Sequence, residues 1–314
     1  MPLLHAIVLG IVQGLSEFLP ISSSGHLELV PWLFGWDDFA GRPELETTFD
    51  VALHLGTFAG AVAYFRADLV RLARGGLTTL RPPGRRRARG ADARASQGAA
   101  STETSVAPAP PGSPSPVGEA PLPADDGRLA WLLLASAVPA AVAGALFADA
   151  FAGIGETEWL VGLLLAVFGL VLLWADRLQG TRTADEFRLR DALTMGLAQA
   201  LALQPGVSRS GVTITAARRL GFGRESAARL SFLMSLPIIA GAGLYEGIGV
   251  LGEGGIPAGF GTAFAAGMAA SAVTGWLAVW GTLRLVRTRT FTPFVIYRVV
   301  VGVGVIALVV TGLR

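Results

Sequence analysis

The sequence contains no cysteine and no lysine, and only three of its 314 residues are histidine. The lack of cysteine excludes disulfides, thiolate metal sites and a cysteine nucleophile, and three histidines leave little scope for a multi-histidine metal site. Charge is also scarce: 15% of the residues are charged, against about 25% in soluble proteins. A mean hydropathy of +0.55 argues against a soluble enzyme, and a net charge of +2 gives no basis for a nucleic-acid partner.

Apolar residues are present in long runs instead. A membrane-spanning helix needs roughly 20 mainly apolar residues, and six runs qualify. They occupy residues 49–65, 129–148, 159–175, 230–245, 259–283 and 294–313. Four carry no charge, while Asp50, His54 and Arg298 lie near the ends of the other two, where side chains can reach the interface. The sequence therefore predicts an all-α integral membrane protein surrounded by membrane lipids.

Residues 82–127 break this pattern. They hold nine of the 18 prolines and an Arg-Arg-Arg-Ala-Arg run at 85–89, and they contain no aromatic residue. A segment with this composition cannot bury enough apolar surface to fold. We expect a disordered cytoplasmic loop here.

The charges along the chain indicate an orientation. Of the 25 arginines, 21 fall in four stretches, 66–128, 176–191, 218–229 and 284–293. Nine carboxylates and only Arg42 fall in three others, 36–48, 149–158 and 246–258. Positive residues are retained on the cytoplasmic side. If the arginine-rich stretches are cytoplasmic, the six spans cross the membrane in alternating directions without conflict. Segments 3–35 and 191–220 must then begin and end on the same side, as two re-entrant helical hairpins.

The two hairpin segments resemble each other at a constant offset of 186 residues. The identical pairs are Gly10 and Gly196, Gln13 and Gln199, Leu15 and Leu201, Ser22 and Ser208, Ser24 and Ser210, and Gly25 and Gly211. Each hairpin precedes three spans, and the two units start on opposite faces. We therefore expect an inverted-topology repeat of residues 1–176 and 191–314, whose broken elements meet near the membrane midplane.

The first hairpin carries the groups suited to acid–base or nucleophilic chemistry. Gln13 and Glu17 lie on one helical face, because they are four residues apart. The turn that follows contains Ser22, Ser23, Ser24 and His26. A carboxylate at membrane depth is costly without a partner, a metal or a proton. We take Glu17, Ser23 and His26 as catalytic candidates. The substrate contacts predicted in this hairpin are Gln13, Ser22 and Ser24. The alternative is that Glu17 braces the turn and His26 is a packing residue.

The second hairpin carries the groups suited to binding an anion. Its turn contains Gly206, Ser208, Arg209, Ser210, Gly211 and Thr213. Small residues before a helix present backbone N–H groups to an anion, and arginine matches phosphate oxygens. We therefore predict that these residues bind phosphate and that Arg209 also acts in catalysis. The alternative is an arginine that holds the turn together through carbonyl groups.

Together the two turns predict a phosphorylated lipid as the substrate. Such a lipid explains both an anion site and a membrane location. A site of oxygen ligands with one strong carboxylate suits Mg²⁺ or Ca²⁺ held mainly by the substrate phosphates. Glu17 is the candidate metal ligand.

At these motifs the chain resembles the undecaprenyl-diphosphate phosphatase family, which is linked with bacitracin resistance. The resemblance rests on QGLSEFLPISSSGHL at 13–27, PGVSRSGVT at 205–213, FDVALHLGTFAGAVAYF at 49–65 and ESAARLSFLMSLPIIAGAG at 225–243. It implies removal of the terminal phosphate from undecaprenyl diphosphate, recycling the lipid carrier for cell-wall synthesis, with a divalent cation required. It also implies a multi-pass protein of the bacterial cell membrane, with a site that opens to the outer face. The functional residues it implies are Glu17, Ser23, His26, Ser208, Arg209 and Thr213.

Several alternatives stay open at this point. The attacking group is Ser23, His26 or a water molecule. An inverted repeat is also the architecture of alternating access, so a transporter or flippase of undecaprenyl phosphate is the second functional hypothesis, and an inactive membrane scaffold is the third. The sequence is compatible with a monomer and with a homodimer.

Overall fold

The computed structural model describes residues 1–39, 41–80, 126–155, 157–252 and 259–314. Within these ranges the chain is helical and contains no β-strand. The helices are α1 Leu3–Phe18, α2 Ser23–Phe34, α3 Pro43–Thr79, α4 Asp126–Gly155, α5 Glu158–Asp176, α6 Leu189–Ala200, α7 Arg209–Arg219, α8 Arg224–Gly252, α9 Gly261–Val286 and α10 Thr292–Val310. Short 3-10 turns at Ala184–Glu186 and Leu201–Leu203 flank α6. The predicted loop 82–127 lies outside the described residues, except that its last two residues belong to α4.

Five helices in the described part of the chain are long and apolar enough to cross a membrane. They are α4, α5, α8, α9 and α10. The sixth predicted span, 49–65, lies within α3, which does not meet the same test, because Asp50 and His54 lower the hydropathy of this stretch. The all-helical membrane class of the prediction is confirmed.

Large apolar side chains point outward from these helices. Leu134, Leu170, Trp276 and Val303 are among those that remain exposed. Exposed apolar faces on helices of this length are expected where lipid, rather than water, surrounds the protein.

Local sequence signals explain where the hairpin helices begin and end. Helix α1 ends at Phe18, just before Pro20, whose ring cannot continue a helix. Helix α2 ends at Phe34 and is followed by Gly35, which adopts a φ of 67° in the left-handed region favoured by glycine. Helix α10 carries Pro293 in its first turn, where no N–H is needed.

The described residues form two compact units. One comprises Met1–Arg66 and Leu132–Arg314, and it contains both predicted hairpins. The other comprises Ala67–Trp131, in which Trp131 Nε1 donates a hydrogen bond of 2.9 Å to Thr79 Oγ1.

The two hairpins share their backbone geometry as well as their sequence. Helices α1 and α6 begin 186 residues apart, as do α2 and α7. Ser22 and Ser208 have φ angles of 78° and 75°, and they are the two non-glycine residues of the described chain with positive φ. Both serines stand directly before a helix. Serine rarely adopts this conformation. Its occurrence at equivalent positions indicates that the two hairpins contain the same type of turn.

Glycine allows close helix contacts around the hairpins. A side chain at Gly10 of α1 would collide with the carbonyl of Gly267 in α9. A side chain at Gly196 of α6 would collide with the carbonyl of Ser136 in α4. Gly10 and Gly196 are equivalent at the 186-residue offset, so each hairpin packs its first helix on a long helix through the same position.

Candidate active site

The Glu17 carboxylate is the centre at which the two hairpins meet. Glu17 lies near the end of α1 and is 4% exposed. Its Oε2 accepts hydrogen bonds from Gln13 Nε2 at 3.0 Å and from Ser23 Oγ at 2.7 Å. Its Oε1 forms an ion pair with Arg209 Nη2. Residues 192 positions apart in the chain are therefore in direct contact.

Arg209 is placed so that it can also reach a ligand. It is the first residue of α7, and its side chain is 20% exposed, whereas the Glu17 side chain it pairs with is almost fully buried. A guanidinium group has five N–H donors and can bind phosphate oxygens in a bidentate manner. Pairing with Glu17 uses only part of this capacity.

The two turns also contact each other directly. The backbone N–H of Gly206 donates to Ser22 Oγ at 3.1 Å, and Ser210 Oγ donates to the Leu19 carbonyl at 3.1 Å. Ser208 Oγ accepts from the Gly211 N–H at 3.2 Å and thereby caps α7. These groups, predicted as phosphate ligands, hold the turns together in the structure.

Thr213 and Ser24 occupy different positions from the groups around Glu17. Thr213 is fully buried, and its hydroxyl lies 2.6 Å from Ser231 Oγ of α8 and donates to the Arg209 carbonyl at 2.8 Å. Thr213 thus joins α7 to α8. Ser24 is partly exposed beside Ser23.

His26 has both ring nitrogens engaged by neighbouring groups. Its Nδ1 lies 2.6 Å from the Ser22 carbonyl, and its Nε2 lies 2.8 Å from the Tyr297 hydroxyl. A nitrogen that faces a carbonyl must carry the hydrogen, so in the neutral ring Nε2 accepts from Tyr297. The structure places His26 as a support for the Ser22 turn rather than beside Glu17.

His54 is a site residue that the sequence reasoning missed. Its Nε2 lies 3.7 Å from Glu17 Oε2, and its Nδ1 donates to the Asp50 carbonyl at 2.8 Å. The side chain is 35% exposed. The sequence predicts that His54, near one end of the run 49–65, reaches the membrane interface. The signal that could have found it is the rule that an ionisable residue within an apolar helix is a functional candidate.

Arg298 was expected to reach the interface, and this prediction is wrong. It is fully buried, at 0% exposure, and its guanidinium group donates only to backbone carbonyls. A buried arginine binds carbonyls when the alternative is an unsolvated charge. Arg218 falls in a stretch predicted to be cytoplasmic, an orientation that stays a prediction; its side chain is buried and donates to the Phe222 carbonyl at 2.6 Å.

The oxygen atoms around Glu17 fit a cation that is held mainly by a substrate. In the described residues, no group of three or more His, Cys, Asp or Glu side chains is arranged to hold a metal ion. Beside the Glu17 carboxylate, however, Gln13 Oε1 is buried without a hydrogen-bond partner. Carboxylate and amide oxygens are ligands of Mg²⁺ and Ca²⁺, and Mg²⁺ commonly binds through one carboxylate and substrate phosphates.

The structure contains a cavity of about 260 Å³ that the groups around Glu17 do not line. Leu27, Trp36, Glu46 and Asp50 line it. Its lining does not include Glu17 or Arg209. The hydrogen-bonded groups around Glu17, and not this cavity, therefore define the candidate site.

Comparisons with known proteins agree with the motifs. A family model described as bacitracin resistance protein BacA matches residues 6–304. The chain is 44% identical to an undecaprenyl-diphosphatase of Pelobacter propionicus, over 100% of this chain and 99% of the relative. It is 45% identical to one from Geobacter sulfurreducens, over 98% of each chain. It is 40% identical to one from Pelotomaculum thermopropionicum, over 98% of this chain and 97% of the relative.

The family assignment follows from the extent of these matches. They cover nearly the whole chain, and they include both motifs that meet at Glu17. With its apolar helices, the chain is a multi-pass membrane protein. It belongs to the bacitracin resistance protein BacA family.

Proposed function

We propose that this protein is a membrane phosphatase that converts undecaprenyl diphosphate to undecaprenyl phosphate and inorganic phosphate. One observation carries the proposal: Arg209 of the second motif and Ser23 of the first share the buried Glu17 carboxylate. A cationic phosphate ligand, a hydroxyl and a base are thereby within one site. The names of the relatives point to the same lipid, and the reaction returns the lipid carrier to cell-wall synthesis.

The proposed reaction is an in-line attack at the outer phosphorus atom. An oxygen nucleophile forms a new P–O bond, the bond from that phosphorus to the bridging oxygen breaks, and its electron pair remains on the lipid monophosphate. Arg209 stabilises the negative charge on the transferred phosphoryl group, together with backbone N–H groups of the second turn. Glu17 accepts the proton of the nucleophile.

The geometry supports Ser23 as the nucleophile, which forms a phosphoserine; water then attacks that phosphorus, the bond to the serine oxygen breaks, and inorganic phosphate is released while Ser23 regains its proton. The Ser23 hydroxyl already donates to Glu17 at 2.7 Å, as a serine activated by a base should. Both nitrogens of His26 are engaged by Ser22 and Tyr297, which does not favour direct attack by the ring. A phosphoenzyme trapped at Ser23 would support this choice, whereas one at His26 would contradict it; a water nucleophile would leave neither residue labelled.

A divalent cation, Mg²⁺ or Ca²⁺, is part of the proposal. Glu17 and Gln13 Oε1 would hold it together with the substrate phosphates, and it would neutralise charge on the phosphoryl oxygens. Removing divalent ions with a chelator should abolish phosphate release, and either ion should restore it. Undiminished activity in the chelator would contradict this part of the proposal.

We also propose that the chain has six spans and two re-entrant hairpins in an inverted repeat, residues 1–176 and 191–314. The 186-residue offset of the turns, and the equivalent packing of Gly10 and Gly196, support it. The arginine distribution supports a bacterial cell membrane location with the carboxylate-rich face outside. The family resemblance favours a site that opens to that outer face.

The decisive experiment is phosphate release by the pure protein in detergent, with undecaprenyl diphosphate as substrate. We expect stoichiometric release of inorganic phosphate from the lipid. The two repeated turns also favour a second candidate, movement of undecaprenyl phosphate across the membrane. Labelled lipid in sealed vesicles tests it: movement without phosphate release would favour a flippase over an enzyme, and no response in either assay would indicate a scaffold.

A further inference from the structure

One turn of the last helix contacts both hairpin turns at once. Arg298 of α10 donates to the Pro20 carbonyl at 3.2 Å, in the first turn. It donates to the Gly206 and Val207 carbonyls at 2.9 and 3.0 Å, in the second turn. A fourth bond, of 3.0 Å, reaches the Leu165 carbonyl of α5. The guanidinium group is thus shared between three separate parts of the chain.

The neighbouring residue, Tyr297, adds an indirect contact to the first turn. Its hydroxyl lies 2.8 Å from His26 Nε2, and the opposite nitrogen of that ring lies 2.6 Å from the Ser22 carbonyl. Ser22 has the rare positive φ of 78°. Such a conformation persists only where the surrounding structure holds it. Tyr297 and Arg298 therefore fix the first turn at two carbonyls, those of Ser22 and Pro20.

The bonded carbonyls stand immediately before the reactive side chains. Pro20 precedes Ser23 by three residues, and Val207 precedes Arg209 by two. Ser23 and Arg209 contact Glu17 and lie two or three residues after the bonded carbonyls. A shift of either turn would therefore move Ser23 or Arg209 away from Glu17. The position of the guanidinium group therefore controls the distance between the two halves of the site.

The charge of Arg298 also suits an anion site. In the described part of the chain, none of its hydrogen bonds goes to a carboxylate. A Cβ atom at Gly211 would lie 2.8 Å from Arg298 Nη1, so the charge lies directly behind the first turn of α7. A cation at this position adds to the positive end of the helix dipole that faces a bound phosphate.

We propose that Arg298 is a positioning residue for phosphoryl transfer, which holds the two turns in register and strengthens the anion site between them. The inference rests on the proposed phosphatase function, since the turns that it aligns carry the groups of that reaction. Arg298 does not touch the substrate in this proposal. It acts through Ser23 and Arg209.

The test compares Arg298→Lys with Arg218→Lys. Arg218 is a matched control, because it is also buried and, within the described residues, it donates to the Phe222, Asp176 and Leu178 carbonyls and to neither turn. Lysine keeps the positive charge and loses the planar fork that spans several carbonyls. We expect Arg298→Lys to lower kcat by about 100-fold, the effect of a misplacement of roughly 1 Å, whereas Arg218→Lys lowers Tm with kcat within about twofold of wild type.

A second readout does not depend on turnover. Pyrophosphate should raise the Tm of the wild-type protein in detergent, because it occupies the anion site. The concentration for half of this effect should rise about tenfold in Arg298→Lys, because the displaced turns lose about one charge-assisted hydrogen bond to the anion, and it should stay unchanged in Arg218→Lys. The pyrophosphate measurement distinguishes failure of the phosphatase proposal from failure of the Arg298 proposal. A wild-type protein that binds pyrophosphate but releases no phosphate from the lipid would refute the phosphatase function alone.

A purely structural Arg298 would give a different result. Arg298→Lys would then resemble Arg218→Lys, with a lower Tm but unchanged kcat and pyrophosphate response in the folded protein. That result would overturn the inference, as would a wild type that pyrophosphate does not protect. If Arg298→Lys does not fold, Tyr297→Phe takes its place, since it removes only the hydroxyl that contacts His26; it should lower kcat several-fold in a protein that stays folded with a slightly lower Tm, because one hydrogen bond is lost.

Discussion

The two hairpin turns have the same backbone and different chemistry. Ser22 and Ser208 adopt the same positive φ and stand before equivalent helices. At the 186-residue offset, however, Glu17 corresponds to Leu203, and Ser23 corresponds to Arg209. One turn thus carries the carboxylate and the hydroxyl, and the other carries the guanidinium group. The repeat provides a common backbone, and the positions where the two sequences differ provide the polar groups that meet at Glu17.

Gln13 and Gln199, which are equivalent at the 186-residue offset, also have different surroundings in the two hairpins. Gln13 donates to Glu17 at 3.0 Å. Gln199, its equivalent, is buried with both amide atoms lacking a hydrogen-bond partner, and a leucine stands where the carboxylate would be. A buried polar group without a partner costs about 1–3 kcal/mol. The second hairpin therefore keeps the polar residue of the first without its charged partner.

Removing the carboxylate should have the largest effect on this comparison. Glu17→Gln keeps the size of the side chain but removes the base and the partner of Arg209, so we expect phosphate release to fall by about 1,000-fold. The equivalent change in the other turn, Leu203→Met, should leave the rate within about twofold of wild type. Phosphate release and Tm in detergent measure both. Substantial activity in Glu17→Gln would remove the central residue from the site.

The second prediction concerns the cation of the second turn. Arg209→Lys retains the charge but loses the planar fork that binds Glu17 and phosphate together, and kcat should fall by about 100-fold. Arg219→Lys, at an exposed position of the same helix, is the control and should be close to wild type. Equal activity of the two variants would show that charge alone, without geometry, is sufficient.

The third prediction concerns His54, the histidine whose Nε2 lies 3.7 Å from Glu17 Oε2. His54→Leu removes the only histidine that lies near Glu17 in the described chain, and we expect kcat to fall about tenfold, less than the roughly 100-fold or more that a general acid or base contributes. His54→Gln should lose less, because an amide can replace the polar contact. Steady-state kinetics with Tm measurements check both variants. A wild-type rate in His54→Leu would leave His54 without a role in the reaction.

The smallest change is expected for the strained serines. Ser208→Ala removes the cap of α7 and keeps a Cβ atom at positive φ, so it should lower the free energy of unfolding by about 1 kcal/mol. Ser208→Gly loses the cap but relieves the conformation, and should cost well under 1 kcal/mol. Thermal or denaturant unfolding in detergent ranks the two variants. The opposite order would contradict a strained turn.

The motifs predict part of the site because their residues are local. Glu17, Gln13 and Ser23 lie within 11 residues, and a helix followed by a tight turn brings them together. The partnership with Arg209 followed from the repeat and remained a prediction until the contact was observed. The phosphate role of Thr213 stays a prediction, and the direction of its hydroxyl depends on how α7 packs on α8.

His54, Tyr297 and Arg298 were not predicted as members of the site. Each belongs to a long apolar helix and lies outside both turn motifs. Their relation to Glu17 and to the turns depends on the rotation and depth of whole helices against one another, which helical spacing within one segment does not specify. Rare charges in apolar helices were the available signal, and they were interpreted as interfacial.

By itself, the sequence determined the helical membrane class and the two repeated turns, and it predicted which polar side chains the turns carry. Those properties follow from local composition, apolar run length and residue spacing, which act within a few tens of residues. The tertiary structure alone decided that Ser22, Ser208 and Thr213 support the turns and that His54 faces Glu17. It also decided that Arg298 joins the turns, because a buried guanidinium group must find carbonyls wherever helix packing provides them.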